Sequence, residues 1–163
     1  MQRLSLIFAL LLFFSVHLVN GQSLGKKSLS HLNGVAVTAN VSQEAEEEGL
    51  TESSIETNTE LQLRKADIEV YTEDERNEQP AAPTLRVFVQ TYEREKTGLF
   101  AYHVTIEGDQ ATVIADGSSH LGITYKTSGV IGIVGADNIR DVADTVRDEV
   151  RIFINDWLSV HQE

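Results

Sequence analysis

Apolar and polar positions alternate along residues 34–41, placing Val35, Val37, Ala39 and Val41 on one face. A period of two predicts a half-buried strand. The same period returns at Leu85, Val87, Val89 and Thr91, and again at Phe100, Tyr102, Val104 and Ile106. The four-residue loop Glu95-Lys96-Thr97-Gly98 joins these two runs as a hairpin. That pairing sets Val89 opposite Val104 and Val87 opposite Ile106, so the two apolar faces coincide. Gly108-Asp109 reads as a two-residue turn, which sets Ile106 opposite Ala111 and Val104 opposite Val113. A short strand is expected over 68–71 and another over 120–126, the latter after the turn Asp116-Gly117-Ser118-Ser119.

Helical spacing governs two other stretches. Thr51 is a candidate N-cap, with Leu50 and Ile55 at the positions of a hydrophobic staple. Glu52 and Glu56 suit the positive end of a helix dipole, and Arg64 and Lys65 the negative end. These signals predict a helix over 52–65 with a thin stripe of Ile55, Thr59 and Leu63. A longer helix is expected from a cap at Asp137 to about Val160. Its stripe is Ile139, Val142, Val146, Val150, Phe153, Trp157 and Val160. Its other face offers the pairs Arg140–Asp144, Asp144–Arg147 and Asp148–Arg151. Residues 42–49 and 72–83 are acidic and read as solvated loops, the second ended by Pro80 and Pro83. Gly129, Gly132 and Gly135, among apolar neighbours, read as a tight buried connection.

The order β-α-β-β-β-β-β-α predicts an α+β two-layer sandwich. Its mixed, mainly antiparallel sheet would be covered on one face by two helices. The first β-α-β is long enough for a right-handed parallel crossover.

The N-terminus changes the setting. Arg3, then an apolar run from Leu4 to Phe14, then small residues at Val19 and Gly21 read as a secretory signal peptide over 1–21, cleaved near Gly21–Gln22. The run is shorter than the roughly 20 apolar residues a membrane span needs. Residues 22–33 are polar and read as a flexible tether, and 34–163 as one domain. The net charge is −12, and losing the signal makes it one unit more negative. Such a balance disfavours nucleic acid and anionic lipid as partners. With no cysteine, the domain has no disulfide and stands on its core. Asn40-Val41-Ser42 matches the N-glycosylation acceptor pattern.

Candidate chemistry is sparse. The glycines are spaced G-x-x-G-x-x-G, which is neither the dinucleotide fingerprint nor a P-loop. His17, His31, His103, His120 and His161 form no metal-ligating motif, and the acidic runs lack the spacing of a calcium loop. Asp116, Ser118, Ser119 and His120 hold the letters of a serine triad, but in a single turn. No catalytic, cofactor-binding or metal-ligating residue is therefore assigned, and no cofactor is expected.

The segments Ile55-Glu56, Glu60-Leu61-Gln62-Leu63-Arg64-Lys65-Ala66-Asp67-Ile68, Leu85-Arg86-Val87, Gly98-Leu99-Phe100-Ala101-Tyr102 and Phe153-Ile154-Asn155-Asp156-Trp157-Leu158, with the glycine run, form a pattern. It resembles small uncharacterised exported bacterial proteins. The layout is also similar to α+β domains of envelope assembly proteins, such as the N-terminal domain of TolB. The resemblance implies a bacterial envelope setting and assigns no site residue.

These readings predict an exported, periplasmic or secreted, non-enzymatic binding or envelope-assembly domain with a protein partner. The alternative is a small extracytoplasmic hydrolase whose site is assembled from distant residues. A deep cleft holding two or more of His103, His120, Asp116 and Glu107 would favour the hydrolase.

Overall fold

The computed structural model describes residues 25–78, 82–94 and 97–161. The expected signal segment 1–21 lies outside these residues, as do Glu95 and Lys96 of the expected hairpin loop.

The alternating run at 34–41 forms β1 (Gly34–Val41), and Thr51 caps α2 (Glu52–Lys65) through its side chain, which accepts the Ser54 N–H at 3.3 Å. Leu50 and Ile55 are both buried, as a staple requires. The chain returns through β2 (Glu69–Val70), which pairs in parallel with β1, and then β3 (Thr84–Glu93), parallel to the other edge of β1. The hairpin of β3 with β4 (Leu99–Val113) has the expected register, with Val87 opposite Ile106 and Val89 opposite Val104. β5 (Ser119–Lys126) and β6 (Val130–Gly135) complete an open six-stranded mixed sheet of order β2-β1-β3-β4-β5, with β6 also on β4.

Two helices cover one face. The stripe of α4 (Val142–His161) buries Val142, Val146, Val150, Phe153 and Trp157. Full burial of such side chains contributes about 1.5–3 kcal/mol each. Tyr125 meets Phe153 edge-on at 5.3 Å, and Phe153 lies 5.8 Å from Trp157. With α2 supplying Ile55 and Leu63, this is the α+β two-layer arrangement read from the pattern.

Several expectations are corrected. Gly108-Asp109 makes no turn, because neither residue has positive φ and β4 runs straight through them. Gly108 gives room to Tyr125, and Asp109 is held by Arg86. β5 pairs with β4 across an irregularity at Gly108/Asp109, and Val113 ends exposed rather than in the core. The glycine run is the edge strand β6, not a buried connection. Its Gly132 lies against the end of the Tyr102 side chain, which would have to shift to admit a Cβ there. The two acidic loops contain short helices, α1 (Gln43–Glu47) around buried Ala45 and α3 (Glu73–Glu78). The second starts at a capping box, in which Thr72 N–H donates to Glu75 at 2.7 Å and Glu75 N–H donates to Thr72 Oγ1 at 3.3 Å. Asp137 is not where the long helix starts: it lies inside the 3-10 segment Ala136–Asp141, entered at Gly135, and α4 begins at Val142. Two of the expected pairs on this helix are present, Asp144 with Arg147 at 2.8 Å and Asp148 with Arg151 at 3.0 Å, whereas the Arg140 guanidinium lies against Gly49 instead. Within the polar stretch 22–33, Lys26–His31 form a 3-10 turn that buries Leu29.

Candidate functional site

The two sides of the sheet differ. Odd-numbered β4 residues 99–109 face away from the helices, and strand pairing arranges their neighbours in rows. One row holds Tyr92, Ala101 and Ile133, and the next holds Gln90, His103 and Ile131. Tyr92, Ile131 and Ile133 are 70%, 81% and 77% exposed, so this is an uncovered apolar area. A depression of about 460 Å³ lies between Ser42, Gln90, Tyr92, Ala101, His103 and Ile131.

Beside it runs a charged band. Arg86 donates to Asp109 at 2.9 Å, Lys126 donates to Glu107 at 2.8 Å, and Arg86 lies 3.7 Å from Glu107. The Arg86 guanidinium also stacks over the Phe88 ring at 5.2 Å. Buried Thr105 has a hydroxyl with no partner among the described residues and lines a groove of about 240 Å³ with Phe88, Gln90, His103, Glu107 and Lys126. Two of the four residues named for a catalytic cleft thus share one groove. They are not a coupled pair: four residues apart on one strand, His103 and Glu107 have Cα atoms roughly 13 Å apart, and Glu107 is already paired with Lys126.

The serine turn is brought together, with its members in an unproductive order. Ser118 Oγ donates to Asp116 at 2.6 Å and lies 2.7 Å from His120 Nε2. In a working triad the histidine stands between serine and carboxylate and takes the serine proton. Here the serine stands in the middle and its proton goes to Asp116. All three polar groups are at an exposed turn, and the Ser118 hydroxyl and N–H hold the Asp116 carboxyl below its ordinary value. His120 is far from His103, which sits at the other end of β4. His31 is exposed, and His161 lies 3.0 Å from the Leu32 carbonyl and 2.9 Å from that of Trp157. Among the described residues no group of three His, Asp or Glu side chains is placed to hold a metal ion, and no helix is long and apolar enough to cross a membrane.

Sequence reading missed the treatment of the sheet edges. Beyond β2, the edge of β1 is closed by α2: Glu56 accepts the Ala39 N–H at 2.9 Å and Glu52 accepts the Val41 N–H at 3.2 Å. The signal was present in the spacing. One helical turn of four residues advances about 6 Å, close to the roughly 6.6 Å between alternate strand residues. At the opposite edge, β6 pairs with β4 alone among the described residues and carries no charged residue.

No known family model matches the chain, and no curated protein matches it. Among solved structures, the PelC dodecamer from Paraburkholderia phytofirmans in space group P6 is similar at 17% identity and a TM-score of 0.43, covering 86% of this chain and 93% of that one. A variant of the same dodecamer in space group C2 is similar at 18% identity and a TM-score of 0.41, covering 79% of this chain and 88% of that one.

Proposed function

We propose that this chain is an exported, non-catalytic binding or assembly domain that docks a protein partner on the helix-free face of its sheet, at β3, β4 and β6. The observation that carries this reading is the opposite treatment of the two sheet edges. Carboxylates of α2 occupy the β1 edge, whereas β6 leaves an uncharged edge beside exposed Tyr92, Ile131 and Ile133. An unguarded apolar edge is a liability that natural sheets avoid unless something covers it. The residues of 1–21 support export, and the mature protein is expected to begin within a few residues of Gln22. Mass spectrometry of the N-terminus checks this, and recovery of intact Met1 from a soluble cytoplasmic fraction would defeat it.

The docking reading is tested by placing a photo-crosslinking amino acid at Tyr92, Ile131 or, as a control on the exposed side of α4, Arg147. In the native host, positions 92 and 131 should give a discrete adduct and position 147 none. Equal labelling at all three, or none at any, overturns it.

A second reading, a small hydrolase, rests on His103 and Glu107 lining one groove. Turnover of an ester, peptide or glycoside substrate that is lost in both His103→Ala and Glu107→Gln would favour it.

A further inference from the structure

We propose that the β6 edge pairs with the β6 edge of a second copy of this chain, antiparallel and centred on Gly132; this rests on the docking reading above and names one partner for it. Three observations carry the proposal. The first is polarity of the backbone. The Gly98 carbonyl accepts the Ala136 N–H on the β6 side of β4, and the Leu99 carbonyl accepts the Arg94 N–H on the β3 side. Alternation then turns Gly132 toward β4 and directs the N–H and C=O of Ile131 and Ile133 outward. No other strand among the described residues pairs with them.

The second is symmetry. Residues 130–134 read Val-Ile-Gly-Ile-Val, the same in both directions. A two-fold axis at Gly132 sets Ile131 of each copy against Ile133 of the other, on one sheet face, and makes the contact self-complementary. Each such pair exchanges both of its outward hydrogen bonds, and like meets like in volume.

The third is charge. Residues 127–136 hold no ionisable group in a chain of net charge −12. The edge can therefore approach its copy without placing like charges opposite one another. The same register brings the end leading into Asp137 toward the end that follows Lys126, acid toward base. None of the devices that guard natural edges, such as lysine, proline or a bulge, lies on β6. A contact of one strand pair is small beside the roughly 1,200–2,000 Å² of stable interfaces, so the dimer should be weak and concentration-dependent.

Analytical ultracentrifugation of the mature protein over a wide concentration range should show reversible dimerisation. Ile131→Lys/Ile133→Lys should abolish it and leave the melting temperature unchanged, because both side chains are exposed. Register is read by disulfide trapping in a chain that has no cysteine of its own. A mixture of Ile131→Cys and Ile133→Cys chains should form the mixed disulfide at least ten times faster than either chain alone. A wild-type monomer at all concentrations, a dimer that survives the double lysine substitution, or equal rates in the trapping experiment overturns the proposal. Those results would leave photo-crosslinks at Tyr92 and Ile131 to a different protein untouched, so the two readings fail separately.

Discussion

The Glu56 carboxylate on α2 accepts the Ala39 N–H of β1 at 2.9 Å, so a helix side chain does what a neighbouring strand would otherwise do. Glu56→Ala leaves that partly buried donor without a partner and should cost ~1–3 kcal/mol. Glu56→Gln keeps an acceptor oxygen and should retain most of the stability. Urea denaturation gives the energies, and amide hydrogen exchange at Ala39 should accelerate in the alanine variant alone.

Trp157, the only tryptophan, lies 5.8 Å from Phe153 and stacks on His161 at 4.5 Å, with 5% of its surface exposed. Its emission should be blue-shifted in the native state and move red on unfolding. Trp157→Ala should cost ~3–5 kcal/mol, a large share of the ~5–15 kcal/mol that holds a domain. A red-shifted native emission, together with an alanine variant that melts like wild type, would contradict this packing.

Asp116 supplies the pH test. The Ser118 hydroxyl and N–H lower its folded pKa, so in the native state it takes up its proton at lower pH than in the unfolded chain. Its contribution is therefore complete above the ordinary aspartate value and is lost as pH falls through the depressed one. Carbon-detected NMR should place the Asp116 midpoint below that of a free aspartate. Ser118→Ala should move it back up, and an unmoved midpoint would show that the hydroxyl is not its partner.

Gly25 anchors the 3-10 turn before β1. Its φ is +80°, and an added Cβ would collide with the Thr124 backbone carbonyl. Gly25→Ala should therefore release residues 26–31 from β5 and α4, costing more than ~1 kcal/mol. Limited proteolysis should cut near Lys26 and Lys27 much faster in the variant, with the remaining domain still folded. Equal cutting rates would mean this segment is a free tether after all.

What the sequence determined by itself is local. Period-two runs with matching apolar faces determined the β3–β4 register. The Thr51 cap with its Leu50–Ile55 staple determined where α2 begins. A stripe of nearly six turns determined which face of α4 is buried, Trp157 included. Each signal lies within one element or between two joined by a short loop, where few partners compete. The tertiary structure decided what depends on distant neighbours. Gly108-Asp109 has the composition of a turn, but Arg86 from β3 holds Asp109 and the Tyr125 side chain packs over Gly108, so β4 continues as a strand. The apolar glycine run is buried or exposed according to which edge it joins; β4 is long enough to carry β5 and β6 end to end along one side, and β6 takes the outer place. Glu52 and Glu56 read as dipole partners of their own helix until α2 lies along β1, where one helical turn matches two strand residues and the same carboxylates close the sheet edge.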